Sequence, residues 1–172
     1  LRTFTGTVLI MCGDVPLIRV ETLRHFLQRH VESRAVVSVL TVMVEDPAGY
    51  GRVVRNEAGA IQAIVEHRDA PEAIKAIREI NTGIYCCEAL FLYPALKKIG
   101  RDNDQGEYYL PDIIALAAKE AKHVEAILTD NFQEVKGIND RIELAEAGQV
   151  MRQRILSRHM QEGVTIIDPD ST

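Results

Sequence analysis

Two apolar runs separated by one helical segment constrain the fold of this 172-residue chain more than any other feature. The first, Val8 to Cys12, shows no polar alternation and is closed by Gly13-Asp14. A strand of that kind is buried on both faces, as in a parallel sheet. After Pro16, the stretch Glu21 to Glu32 places Leu23, Phe26, Leu27 and Val31 at helical spacing. Ala35 to Val44 returns to β-branched residues and predicts the next strand. A β-α-β opening implies an α/β sheet with right-handed crossovers.

The rest of the chain continues the alternation. Asp46 to Gly51 is a loop by its Pro and Gly content, and Arg52–Arg55 with Ala60–Val65 reads as a hairpin across Asn56-Glu-Ala-Gly59. Ala70 to Arg78 predicts a short helix or an ordered loop. Ile80 to Cys87 predicts a strand, and Glu88 to Ile99 a helix with Leu92, Leu96 and Ile99 on one side. A polar loop, Gly100 to Gly106, precedes a helix over Leu110 to Ala121, with Pro111 suited to its first turn. His123–Leu128 and Gln133–Ile138 predict two further strands. The last helix is expected to start at Asn139 as N-cap and to run to about Gln161, with Leu144, Gly148, Met151 and Ile155 along one stripe and Gly163 as the stop.

Composition excludes several classes. A net charge of -5 offers no basic face for nonspecific nucleic-acid binding. No apolar stretch approaches the roughly 18–20 residues of a membrane span; the longest, Ala35 to Val44, is interrupted by Ser38 and Thr41. Cys12, Cys86 and Cys87 form an odd set without a C-x-x-C, all in apolar runs, so reduced core thiols and a cytoplasmic location are expected. His25 and His30 lack partners at ligand spacing, so no zinc site is expected. Leu1 is not a methionine, and an apolar run has just begun before Asp170-Ser-Thr172, so both ends are expected to be cut points in a longer chain.

Several polar residues sit where chemistry is done. Asp14 lies at the carboxyl end of a buried strand, the usual ligand position in open α/β sheets. A divalent cation such as Mg²⁺, which takes one or two protein oxygens, would account for it; a turn cap would account for it equally. Gly49-Tyr-Gly51 permits close backbone approach to a ligand or a tight bend. Glu66 at a strand end is either an acceptor for sugar hydroxyls or part of a solvated charge run. Asn81, just inside a strand, needs partners for both donor and acceptor if buried. Tyr108 and Tyr109 either stack on a ring or pack the following helix. Asn139, beyond its capping role, could complete a metal shell beside Asp14.

Together, Val8-Leu-Ile-Met-Cys-Gly-Asp-Val-Pro-Leu-Ile18, Asp46-Pro-Ala-Gly-Tyr-Gly-Arg52, Ile64-Val-Glu-His-Arg-Asp69, Glu79-Ile-Asn-Thr-Gly-Ile84 and Gln105-Gly-Glu-Tyr-Tyr-Leu-Pro-Asp-Ile113 resemble one family. It is the uridyltransferase domain of the bacterial bifunctional N-acetylglucosamine-1-phosphate uridyltransferase/glucosamine-1-phosphate acetyltransferase. The resemblance implies a Rossmann-like nucleotide-diphospho-sugar transferase fold, with a mostly parallel sheet and helices on both faces. It further implies UMP transfer from UTP to N-acetylglucosamine-1-phosphate, giving UDP-N-acetylglucosamine and pyrophosphate for peptidoglycan synthesis. Asp14 and Asn139 would bind catalytic Mg²⁺, and Gly51, Glu66, Asn81 and Tyr109 would hold the sugar phosphate. Pro111 stands where members often carry Thr and brings neither hydroxyl nor N–H. The family's glycine-rich triphosphate loop, the segment that reads uracil and the first strand do not occur in these residues. The chain alone is therefore expected to be inactive and to expose an apolar surface. The resemblance divides it into a partial transferase domain (1–140), a linker helix (141–163) and the start of a left-handed β-helix (164–172), and it implies a homo-oligomer, trimeric in the family. Two alternatives stay open: a related transferase for another sugar or base, and a non-catalytic assembly module working through the last helix.

Overall fold

The computed structural model describes residues 4–172; the first three, on which the expectation about the start of the chain falls, lie outside the described residues. The elements in order are β1 (Thr7–Ile10), α1 (Val20–Ser33), β2 (Val37–Met43), β3 (Arg52–Arg55), β4 (Ile61–Val65), α2 (Glu72–Lys75), β5 (Glu79–Glu88), α3 (Ala89–Leu96), α4 (Asp112–Lys119), β6 (Val124–Thr129), α5 (Phe132–Val135) and α6 (Arg141–Gln161). The strands form one sheet in the order β4-β3-β5-β2-β6, with β1 also paired to β5.

The α/β sheet with helices on both faces is as expected. Along β2, Val37 and Val39 enter a core shared with Phe91 and Leu92 of α3 and with Ile113, Ile114 and Ala117 of α4. Leu40 and Val42 point the other way, into a core with Phe26 of α1 and Val135 of α5. Both faces are dry, so the run needs no polar alternation.

The expected mostly parallel sheet is corrected by the pairing. Among the described strands only β2 and β6 are parallel neighbours; β1–β5, β2–β5, β3–β4 and β3–β5 are antiparallel. The physical reason is the hairpin: the chain leaves β2, turns through β3 and β4, and returns as β5 between the parallel β1 and β2. The β2 run reports burial on two faces but not strand direction, whereas the expectation of two buried faces fails for β1: none of its residues is fully buried, and Leu9, Met11 and Cys12 are exposed.

Local differences have equally plain causes. The strand expected at Gln133–Ile138 is instead the single helical turn α5, because i, i+3 spacing puts Phe132 and Val135 together in the second core. Its buried Glu134 faces the start of α1, accepting from the Thr22 hydroxyl and pairing with Arg19 at 3.1 Å. That α1 end has no side-chain cap from its own N-cap residue, so Glu134 supplies the anion it favours. The N-cap of α6 is Asp140, not Asn139; its carboxylate accepts from the amides of Ile142 and Glu143 at 2.8 Å each. The α6 stripe faces outward, with Leu144, Met151 and Ile155 exposed, while Ala147 and Leu156 are the buried positions. In α3 Leu96 is exposed. Cys86 and Cys87 are core thiols, but Cys12 lies beyond the end of β1 and is exposed. Among the described residues no helix is long and apolar enough to cross a membrane.

Candidate active site

A cleft of about 700 Å³ opens where β1 ends and β5 begins. Asp14, Gly51, Glu66, Asn81 and Asn139 all line it, so five of the residues singled out in the sequence converge from five separate segments. Tyr109 does not line it. Its hydroxyl accepts from Gln105 at 2.7 Å, and its pKa is raised by desolvation and by the charges of Asp69 and Glu66.

Backbone and core contacts set each position. The Ile138 amide donates to the Asp14 carbonyl at 2.9 Å, which ties the segment before α6 to the end of β1. A Cβ at Gly137 would stand 3.2 Å from Asp14 Oδ2, so this position brings backbone close to the carboxylate. The loop carrying Gly51 is anchored by the Tyr50 ring, edge-on to Phe132 at 6.0 Å. Buried Arg52 holds the same loop from below: its guanidinium donates to the Tyr50 carbonyl, to the Lys75 carbonyl at 3.3 Å, and meets His67 Nδ1 at 3.2 Å. Asn81 N–H donates to the Gly51 carbonyl at 2.8 Å, joining loop to strand.

Within β5 the register against β2 shifts between Val39 and Thr41, at Gly83, whose φ is +79°. Bulges of this kind re-aim side chains beside active sites. The Thr82 hydroxyl bonds the Leu40 carbonyl at 2.7 Å and stabilises the irregularity.

The two asparagines are oriented by their neighbours. Asn139 directs both its backbone N–H and its Nδ2 to Glu143 Oε2, at 2.7 and 3.3 Å. A carboxylate accepts only, so the Asn139 amide oxygen is left free. The Asp14 carboxylate has no hydrogen-bond partner among the described residues. One carboxylate plus one amide oxygen, with open space beside them, fits Mg²⁺, which keeps most of its shell for water and phosphate. It does not suit zinc, and no cluster of three or more His, Cys, Asp or Glu exists among the described residues.

Burial raises the Glu66 pKa, helped by the charges of Asp69 and Asp112 and opposed by Arg52. Cys12, also on the cleft and exposed, has its thiol pKa raised by partial desolvation and then by the charge of Asp14. Sequence reasoning passed over Cys12, Gly83, Gly137 and Glu143. Only Glu143 left a signal, lying four residues after Asn139 where a helix start brings the two together.

A family model described as nucleotidyl transferase matches residues 1–140. The chain belongs to the nucleotidyl transferase family. Among curated members, the bifunctional protein GlmU of Bacillus subtilis (strain 168) is 48% identical over 167 residues, covering 97% of this chain and 37% of that protein. The GlmU of Bacillus thuringiensis (strain Al Hakam) is 51% identical, covering 97% and 36%. The chain thus spans little more than a third of the length of the curated relatives it matches. A solved structure described as a glucose-1-phosphate thymidylyltransferase from Bacillus anthracis, in complex with sucrose, superimposes with a TM-score of 0.60 over 96% of this chain and 58% of that one. At 18% identity that likeness establishes the fold alone, an open Rossmann-like sheet.

Proposed function

We propose that this nucleotidyltransferase chain provides the metal and sugar-phosphate half of a uridyltransferase that moves UMP from UTP to N-acetylglucosamine-1-phosphate. The observation that carries the reading is the convergence of Asp14, Gly51, Glu66, Asn81 and Asn139 on one cleft. The near-half identity to bifunctional GlmU proteins supports the choice of uridyl and N-acetylglucosamine.

The reaction needs no protein nucleophile. An oxygen of the sugar phosphate, already anionic at neutral pH, attacks the α-phosphorus of UTP; that P–O bond forms as the bond to the β-phosphate oxygen breaks, and pyrophosphate leaves. Asp14 and the free oxygen of Asn139 would hold Mg²⁺, which when bound supplies neutralising charge between the phosphates. Glu66, Asn81 and the Gly51 backbone hold the sugar so that its phosphate reaches the nucleotide in line, and such positioning accounts for much of the rate. The glycine-rich loop that grips the triphosphate in the family does not occur in these 172 residues, so the chain alone is proposed to be inactive. Cytoplasmic location and homo-oligomeric assembly belong to the same proposal.

The test is pyrophosphate release from UTP, N-acetylglucosamine-1-phosphate and Mg²⁺, by this chain beside one carrying the glycine-rich loop at its N-terminus. Turnover by the extended chain alone, abolished by Asp14→Ala, is the expected outcome. Turnover unaffected by Asp14→Ala contradicts the metal role, and turnover by the short chain contradicts its inactivity.

A further inference from the structure

Tyr85 is 1% exposed, its ring packed among Val39, Phe91 and Ile113 in the first core. A phenol buried there needs a partner for its hydroxyl. The hydroxyl donates to Asn81 Oδ1 at 2.9 Å. The Gly83 amide reaches the same atom at 3.0 Å. A backbone N–H cannot accept, so the atom it faces is the amide oxygen and not the nitrogen; chemistry decides an assignment that geometry often leaves open. With Oδ1 taken by two donors, both hydrogens of Asn81 Nδ2 remain, and they have no acceptor among the described residues. Asn81 is half-buried on the cleft wall. Burial, with the charge of Glu66 next, raises the Tyr85 pKa well above its ordinary value, so the hydroxyl stays a donor.

We propose that Tyr85 is a positioning residue that fixes the Asn81 amide with its nitrogen turned into the cleft, so that the ligand atom met there is an oxygen acceptor. This deepens the sugar-phosphate reading and rests on it. The cleft then has a defined polarity: a donor at Asn81, and acceptors at Glu66 when it is ionised. A ligand that matches both presents a carbonyl, hydroxyl or phosphate oxygen to Asn81 and a hydroxyl or amide N–H to Glu66, and an N-acetylated hexosamine phosphate carries both kinds of group. The sequence holds the pattern in residues 81, 83 and 85, which share one face of a strand. The hydroxyl on that face is what separates Tyr85 from an ordinary core aromatic.

The experiment titrates N-acetylglucosamine-1-phosphate, and in parallel uncharged N-acetylglucosamine, into the chain and three variants by calorimetry. Tyr85→Phe keeps the ring and removes one of the two donors, and the net worth of one hydrogen bond corresponds to about three- to tenfold weaker binding. Asn81→Asp leaves Tyr85 and Gly83 their acceptor and replaces only the outward nitrogen; it should weaken both ligands by more than tenfold. Tyr85→Phe added to Asn81→Asp should then cost nothing further. Unchanged binding in Asn81→Asp, or a loss confined to the charged ligand, overturns the donor assignment. An equal loss from Tyr85→Phe with and without Asn81→Asp overturns the positioning role. A second readout does not need the sugar. In ¹⁵N-labelled chain, strong cross-peaks between the Asn81 side-chain amide protons and the Tyr85 ring protons would place the nitrogen inward and overturn the proposal, whereas their absence together with a protected Tyr85 hydroxyl proton supports it. Failure of the unsubstituted chain to bind either sugar, with that spectrum intact, counts against the sugar-phosphate reading and not against the orientation.

Discussion

Replacing Gly83 by alanine probes the bulge on which the cleft depends, and its cost separates into two parts. Gly83 has φ +79°, and an L-residue held in the left-handed region costs about 1–2 kcal/mol. The new Cβ would also stand 2.6 Å from Cys12 Sγ, closer than atoms tolerate. Cys12 is exposed, and its thiol gives up only a weak contact to the Gly83 carbonyl when it rotates away, so this part stays below about 1 kcal/mol. Gly83→Ala should therefore destabilise the chain by about 1–3 kcal/mol. Cys12→Ala alone should be close to neutral, and in the Gly83→Ala background it should recover only the smaller part. Urea unfolding of the four proteins closes the double-mutant cycle, provided the m-values agree. If Cys12→Ala restores Gly83→Ala fully, the backbone argument is wrong and only a steric contact was present. If Gly83→Ala is itself neutral, the bulge geometry is wrong.

Glu66→Gln should stabilise the unliganded chain at neutral pH. The Glu66 pKa is raised in the folded state, so its contribution to stability is fully present below the ordinary carboxylate value and is lost as pH rises through the raised one. The advantage of Gln over Glu should then vanish in melting curves recorded below about pH 4, and an advantage that persists there contradicts the sign. Glu134→Ala should cost about 2–3 kcal/mol in urea unfolding, because it leaves Thr22 and Asn131 without their buried acceptor while half-exposed Arg19 finds water; a loss below 0.5 would show the α1 end to be capped otherwise. Asp140→Ala should cost about 1 kcal/mol by removing the α6 N-cap, with increased amide exchange at Ile142 and Glu143 as the local signature. Cys12 should be the one thiol that reacts readily with a disulfide reagent among the described residues, since burial pushes Cys86 and Cys87 up to about 12. Bound sugar phosphate should protect Cys12, and modification that ignores the ligand would argue that the cleft is empty.

Much of this architecture is legible in the chain, and the exceptions share a cause. Strand and helix positions follow from local burial patterns, so β1, α1, β2 and β5 fall within a few residues of where the apolar runs put them. Strand order and direction do not, because they depend on where β5 inserts after the hairpin. At Gln133–Ile138 six residues are compatible with either period, and the choice is made by a distant core and by the α1 terminus that Glu134 caps. Asn139 and Asp140 are both good N-caps in adjacent places. The carboxylate takes the cap and frees the amide for the cleft, a division that residue type alone does not settle. Asp14, Gly51, Glu66 and Asn81 lie in recognisable motifs, whereas Tyr85 and Glu143, which orient Asn81 and Asn139, lie outside them and act through contacts that only the fold creates.

Whether the cleft below Gly51 takes the sugar phosphate is tested by a ¹⁵N amide titration of the chain with N-acetylglucosamine-1-phosphate in the presence of Mg²⁺. Saturable shifts are expected at Gly51, Asn81, Gly83 and Asn139, lost in Glu66→Ala. Shifts confined to the groove between the β3–β4 hairpin and the α4–β6 turn, around Arg55, Lys122 and His123, would put the ligand elsewhere and contradict binding at the cleft.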